Sequence, residues 1–525
     1  IIYHYQVYNS TTNPKQFRAM MKALSDTNKE FIMNKKVAVL MILILGLLII
    51  SGQALANETG QSYCYNELGV SISCPTQGEA LFGQDANYDK ADEGYLNNGD
   101  GTITDLDTGL MWQQTPSDKM TWAQAFTQAD SFVFAGYDDW RVPTITELYS
   151  LMDFDGMTNM TVDTSIPYID TTYFDFEYGD ESAGERLIDA QYWSSNKYTS
   201  TTFNGNETVF GVNFADGRIK GYPVSVGGRE HLMFVRFVRG NAYGVNDFVD
   251  NGNGTITDNA SGLTWQQADS GAGMNWASAL AHCENLSFAG ADDWRLPDAK
   301  ELQGIVDYSR SLYATNSAAI NPIFSATPIT DEDGNQNYAF YWTSTTHVEA
   351  NKADFAVYIA FGEALGFMDL NNSGTKTLMD VHGAGAQRSS PKSGNASDYP
   401  VGAGPQGDVI RVENLVRCVR GGEYTIFTGG ETNSLVTGVS NPPSQQGQNN
   451  QQPPNNQQGQ NQPPNNQQRA GQTPPQEAIN ACNGVAVGNS CSFTPPNQSA
   501  ITGTCQQIQT VTACVPQGGN QPPRP

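Results

Sequence analysis

The chain has 525 residues, too many for one ordinary core, and a formal net charge of −26 with only 16% of residues charged. A field of that sign repels nucleic acid, anionic lipid and sulfated polysaccharide, and no local basic patch offsets it, while cations and neutral partners stay open.

Residues 1–32 read as upstream translated sequence that is not part of the native protein. Residues 33–56 then carry Met33-Asn-Lys35-Lys36, an apolar run from Val37 to Ile50, and Ala54-Leu-Ala56, the charged, hydrophobic and small-residue parts of a secretory signal. Cleavage is expected after Ala56. The apolar run is shorter than the ~20 residues a membrane span needs, so no stable membrane insertion is expected once it is removed. Residues 1–56 together hold six of the 28 Lys/Arg and two of the 54 Asp/Glu, which leaves the remainder at −30. Location is therefore expected to be the periplasm, the cell surface or the extracellular medium, where thiols pair.

Residues 57–92 form a short N-terminal cap in which Cys64 and Cys74, close in sequence, are expected to bond. After it the chain contains one domain twice, at 93–241 and 246–424. All eight tryptophans fall into two quartets, Trp112, Trp122, Trp140, Trp193 and Trp265, Trp276, Trp294, Trp342, offset by 153, 154, 154 and 149 residues. Each copy opens with a block punctuated by Asn-Gly and Thr-Gly or Ser-Gly pairs, Tyr95 to Gln114 and Phe248 to Gln267, identical at 12 of 20 positions and read as hairpins. Trp122, Phe126, Ala129 and Phe132, like Trp276, Leu280, Cys283 and Leu286, recur at a helical spacing of four and three. Both copies continue with Ala-Gly-x-Asp-Asp-Trp-Arg-x-Pro. A second helix should start directly after it, because Thr144 with Glu147, and Asp298 with Glu301, have capping-box spacing. Strands follow at Tyr192–Ser195 and 209–214, at Tyr341–Ser344 and 356–361, and each copy closes with Val-Arg-x-Val-Arg-Gly.

The tryptophans, flanked by apolar residues, read as core rather than sugar-stacking platforms. Asp138, Asp139, Glu147, Asp292, Asp293 and Glu301 read as partners of the neighbouring and closing arginines rather than as acid–base catalysts.

The differences between copies carry more information. Cys283 and Cys418 are replaced together in the first copy, by Ala129 and Phe237, as a bonded pair predicts. Such a bridge closes a loop of over a hundred residues, for which chain entropy gives about 4 to 5 kcal/mol at most. The second copy alone holds a Gly-rich insertion, residues 368–408. There His382, Gln387 and Arg388 are candidate ligand-binding residues among glycines that let backbone approach a ligand. In the same insertion Asp369, Asn371, Ser373 and Asp380 match liganding positions of a calcium loop, with Gly374 at the turn. Lys376 and the terminal Asp in place of Glu fit a solvated Asn-Gly turn instead. Calcium is the one cofactor these residues suggest.

Residues 438–478 are Gln, Asn, Pro and Gly, a composition that cannot fill a core and reads as a disordered tether. Beyond it, residues 479–516 form a small cystine-rich module whose Cys482, Cys491, Cys505 and Cys514 allow three connectivities. A zinc site competes with disulfides there, although the spacing is wider than in zinc knuckles.

The order Gly-x-Gly-Thr-x-Thr-Asp, Gly-Leu-x-Trp, Trp-x-x-Ala, Asp-Asp-Trp-Arg-x-Pro, Tyr-Trp-[Ser/Thr]-Ser and Val-Arg-[Cys/Phe]-Val-Arg-Gly, met twice, resembles the bacterial Lcl C-terminal domain family over about 98–240 and 251–422. The resemblance implies an α+β fold of two tandem C-type-lectin-like domains. It also implies an exported binding or adhesion protein whose partner is a surface carbohydrate or protein. The family's named member is the C-terminal domain of a collagen-like adhesin that binds sulfated glycans; this chain has no collagen repeat and is strongly acidic. Two other function classes stay open, an enzyme with its site around His382 and a structural protein of the envelope.

Overall fold

Hairpin signals and β-branched residues place the opening block of each copy in a four-stranded antiparallel ladder of the same order. In copy 1, Tyr95–Asn97, Thr102–Asp105 and Met111–Gln113 are joined by the closing strand Val238–Arg239, with Trp112 opposite Ile103 and Val238. In copy 2, Phe248–Asp250, Thr255–Asp258 and Leu263–Gln266 are joined by Val419–Gly421, with Trp265 opposite Ile256 and Val419. The computed structural model describes residues 58–90, 94–370, 373–422 and 424–426, and in the C-terminal segment 481–482, 485–486, 489–493, 501–508 and 511–516. The expected upstream segment 1–32, the signal 33–56 and the tether 438–478 lie outside the described residues. No helix among the described residues is long and apolar enough to cross a membrane.

Both second helices, Ile145–Ser150 and Ala299–Gly304, have the expected capping boxes: Thr144 with Glu147 and Asp298 with Glu301. The first helices are Trp122–Ala129 and Trp276–Glu284. In copy 2 the helix buries Trp276, Ala279, Leu280 and Cys283, as the spacing predicts. Copy 1 differs: Ala125 and Ala129 face inward, Phe126 is exposed, and its ring packs edge-on against half-buried Trp122 at 5.1 Å.

The strands after the helices join into one eight-stranded sheet that runs through both copies. From the copy 2 edge its order is Phe340–Glu349, Lys352–Ala360, Gln387–Pro391, then Arg218–Pro223, Asn206–Asn213, Gln191–Thr202, Met233–Val235 and Ser117–Met120 of copy 1. Counted from the long hairpin, Arg218–Pro223 and Gln387–Pro391 are the third strands of their copies, and they pair antiparallel with each other at Ile219 and Gln387. Pairing of like strands in opposite directions is the arrangement of an isologous dimer, built here within one chain.

Alternating side chains divide the cores. Phe210, Val212, Val357 and Ile359 join one buried cluster with both second helices and both ladders, and Phe210 of copy 1 meets Tyr308 of copy 2 edge-on at 4.8 Å. On the other face each first helix covers its own smaller cluster, around Trp140 and Trp193 in copy 1 and around Trp276, Trp294 and Trp342 in copy 2. Seven tryptophans are buried. Four of the six acids pair as expected: Arg141 with Glu147 and Arg295 with Glu301 are bidentate at 2.6 Å, and Arg239 and Arg420 reach Asp139 and Asp293, while Asp138 and Asp292 are exposed. The glutamates therefore cap a helix and hold an arginine at once.

The segment ahead of copy 1 packs on copy 2. Gln61 exchanges hydrogen bonds with the backbone of Thr346, Asp85 accepts from Thr345, and Tyr88–Lys90 pairs with Tyr424–Ile426. Cys64 is bonded to Cys74, and Cys283 to Cys418. The described residues form two compact units, within 1–440 and 441–525. In the second, Ser490–Phe493, Ile501–Ile508 and Val511–Pro516 form a sheet bound by Cys482–Cys505 and Cys491–Cys514, one of the three possible connectivities. Cys482, Cys491 and Cys514 lie within 4.8 Å of one another because the two bridges are adjacent, and paired sulfurs are not available to zinc.

Candidate functional sites

The insertion that the sequence assigns to copy 2 alone is partly shared. Its Gln387–Pro391 strand holds the place that Arg218–Pro223 holds in copy 1, so Arg388 corresponds to Lys220 and Pro391 to Pro223. What copy 2 adds is the hairpin Leu365–Met368 with Thr377–Asp380, the turn around His382, and the loops from 392 to 414.

These residues are placed in the seam between copies. His382 is 2% exposed, and its carbonyl accepts from Gly221 N–H of copy 1 at 2.8 Å. A Cβ on Gly221 would lie 2.6 Å from that carbonyl oxygen, so the close approach requires glycine. Gln387, fully buried, accepts from Ile219 N–H through Oε1 at 3.2 Å. Asp408 accepts from His382 Nε2 at 2.8 Å and from Arg388 Nε at 3.0 Å. Burial raises the Asp408 carboxyl, but Arg388 and His382 outweigh it and hold it well below the usual range. Burial in turn pushes the His382 imidazole down to about 4, so the ring is neutral and donates to a carboxylate whose charge Arg388 balances.

Further contacts cross the seam. Tyr198 of copy 1 donates to Asp380 at 2.8 Å, Arg218 reaches Glu349 at 2.6 Å, and the Tyr168 ring stacks on His347. His347 also meets the Asp216 carbonyl at 3.0 Å, and burial followed by Arg218 drives its ring down to about 4. Asp216 pairs with Lys220 at 2.7 Å, so each copy brings one cation–carboxylate pair to the junction. Of the sequence-derived trio, His382 and Gln387 make seam contacts and Arg388 pairs with Asp408 beside them, and neither cavity described below includes any of the three.

Among the described calcium candidates, Asp369 and Ser373 meet in one turn and Asp380 lies apart from them. Asp369 accepts from Ser373 and Gly374 N–H at 2.9 and 2.6 Å, closing a polar turn. Asp380 sits opposite Leu365 while the turn begins beyond Met368 and Thr377, three positions along the strand. Its carboxyl is committed to Tyr198 and to the Gly383 N–H at 2.7 Å, and burial raises it to about 7. Asn371 lies outside the described residues.

Sequence reasoning did not single out the cleft along the connector 242–246. A cavity of about 300 Å³ lies between the connector and the copy 2 ladder, lined by Thr146, Asp258, Trp265 and Lys300. An adjoining open groove of about 590 Å³ is lined by Asn196, Thr199, Tyr308 and Asn321. The connector is pinned at both ends: Tyr243 N–H donates to Glu147 of copy 1, and Asn246 donates to the Gly304 carbonyl of copy 2. Gly244 has φ +74° and lies so near Thr146 that a Cβ would come within 2.5 Å of its methyl group. No spacing rule reveals this cleft, because both copies and the connector build it together.

The shared sheet and matched ladders define a tandem α+β protein, mostly β, in which two equivalent domains form one unit. The Lcl C-terminal domain family matches residues 101–239 and 254–379, half of the chain, and the chain belongs to that family. The second match ends inside the added hairpin, where the copies stop corresponding in sequence. No curated protein and no solved structure matches the chain.

Proposed function

We propose that this is an exported protein of the envelope or cell exterior that binds a surface carbohydrate or protein through its fused pair of domains, each with a C-type-lectin-like fold. The observation that carries this reading is the seam. The insertion's His382 carbonyl, Gln387 and Asp380 hold the copies together while its His382 and Arg388 side chains are taken up by Asp408, and the cleft along the connector is the concave surface built from both copies. Membership in the Lcl C-terminal family, the bridge from first helix to closing strand through Cys283 and Cys418, and the pairing of all eight cysteines support export and the fold assignment.

N-terminal sequencing of protein recovered from the cell exterior or periplasm should begin at Asn57; recovery only from the cytoplasm with reduced cysteines contradicts export. A glycan array and a pull-down against surface extract, with and without calcium, should yield a saturable partner for the purified chain. Finding none in either counts against binding.

A further inference from the structure

We propose that the cleft along the connector is the ligand site, and that its ligand is an uncharged oligosaccharide; this rests on the reading of the chain as a binding protein. The groove lies within the size range of small-ligand sites, and its hydrogen-bonding side chains are held before any ligand arrives. Asn196 accepts from Ile145 N–H through Oδ1 at 2.8 Å, and Asn321 accepts from Ile323 N–H through Oδ1 at 3.0 Å. Each amide is thereby oriented with its NH2 left to donate. Asn246 has the opposite polarity: its NH2 is given to the Gly304 carbonyl at 2.8 Å, so its oxygen is left to accept. All three are half-buried, which keeps these groups within reach.

The charged groups along the same walls are already matched. Lys197 pairs with Glu207 at 2.9 Å, Asp307 accepts from the Ser309 N–H and hydroxyl, Glu301 holds Arg295, and Lys300 donates to the Ser150 carbonyl at 2.8 Å. An anionic ligand would have to compete with Glu207 for Lys197 and with the Ser150 carbonyl for Lys300, while Asp258 and Asp307 are held by N–H and hydroxyl donors; an apolar ligand would strip water from fixed amides without replacing its bonds. A sugar hydroxyl both donates and accepts, so neighbouring hydroxyls on one ring can serve donor and acceptor amides together. The half-buried rings of Tyr243 and Phe248, on the connector and just after it, add an apolar face suited to a sugar ring. Neither copy alone holds the set, since Asn196 belongs to copy 1, Asn321 to copy 2 and Asn246 to the connector.

The test uses the full chain against a panel of uncharged gluco-, xylo- and chito-oligosaccharides, with heparin oligosaccharides as the charged control. Asn196→Ala and Asn321→Ala should each weaken binding of the best uncharged oligosaccharide by about tenfold. Val245→Trp, at a connector side chain 66% exposed, should block the groove, while Val133→Trp, 71% exposed elsewhere, should leave binding unchanged. Unaltered melting temperatures for the variants separate lost contacts from lost folding. Full affinity in all three cleft variants overturns the site, as does an uncharged panel in which nothing binds. If the wild-type chain instead captures a protein or a charged glycan, this inference falls and the binding reading stands; if it captures nothing, both fall.

Discussion

At the foot of the first helix the two copies solve one packing problem in different ways. Copy 2 ties Cys283 on the helix to Cys418 beside the closing strand. Copy 1 has Ala129 and Phe237 there, and the Phe237 ring fills the space, packing on Phe132 at 5.0 Å within a group that includes Phe134 and Trp140. A covalent link constrains the unfolded chain, whereas an aromatic cluster stabilises only the folded one. A second contrast lies at the paired arginines. Arg295 is buried under Tyr88 and Tyr424, which approach its guanidinium to 5.4 and 5.2 Å, while the side chain of Arg141 is 34% exposed beside the connector. The same motif is thus sealed in one copy and open in the other. The element that seals it comes from the cap and the end of copy 2, so the copies are equal in fold but not in surroundings.

Transplanting the copy 1 solution into copy 2, as Cys283→Ala with Cys418→Phe, should have the largest effect. Loss of the bridge should cost about 3 to 5 kcal/mol in denaturant unfolding, because Phe288 and Trp294 keep the places of Phe134 and Trp140 but Leu286 replaces Phe132, the ring that packs on Phe237 in copy 1. A loss under ~1 kcal/mol would show that the bridge adds little to packing. The arginine contrast comes next. Arg295→Met leaves Glu301 buried without its partner and should cost about 3 kcal/mol or more, whereas Arg141→Met, partly screened by solvent, should cost roughly 1 kcal/mol. Equal losses would show that the cover does not matter.

The seam should also make stability depend on pH in two directions. Burial raises Asp380 to about 7 from an ordinary value of 3.8. Its contribution is therefore complete below 3.8 and is lost as pH rises through about 7. His382 and His347, lowered to about 4, act in the opposite sense: their contribution is present above 6.5 and is lost as pH falls toward 4. Thermal stability should be greatest near about pH 6.5, and Asp380→Asn should abolish the decline above it while steepening the rise between about pH 4 and 6.5. The smallest effect is expected at the polar turn. Asp369→Ala should change stability by under ~1 kcal/mol, and added calcium should not shift the melting temperature of either form. A calcium-dependent rise seen only with Asp369 present would restore a metal site there.

Duplication, helix caps, arginine pairing and the Cys283–Cys418 bridge were legible because each depends on local spacing or on direct comparison of the copies. The junction was not. Gln387-Arg-Ser-Ser-Pro391 and Arg218-Ile-Lys-Gly-Tyr-Pro223 share almost nothing but the proline and a cation, so their common place in the fold is set by sheet register rather than residue identity. His382 stood out as a lone histidine among glycines, yet Gly383 and Gly385 hold positive φ and leave room for the rings of Phe210, Tyr198 and Tyr308, while the His382 carbonyl bonds to Gly221. Its partner Asp408, at the far end of the insertion, carried no signal because 26 residues separate them. The cleft was equally hidden, since Asn196, Asn246 and Asn321 meet only after both copies have folded. Helical periodicity misplaced Phe126, where two alanines took the buried face.

The most direct test of the fused pair is native-state hydrogen exchange at the Gly221 amide, which donates across the seam to the His382 carbonyl. If the copies form one sheet, Gly221 should open with a free energy close to that of central amides such as Val212. Exchange at the rate of the Gly205 turn, with Val212 still protected, would show two independent domains and contradict the account.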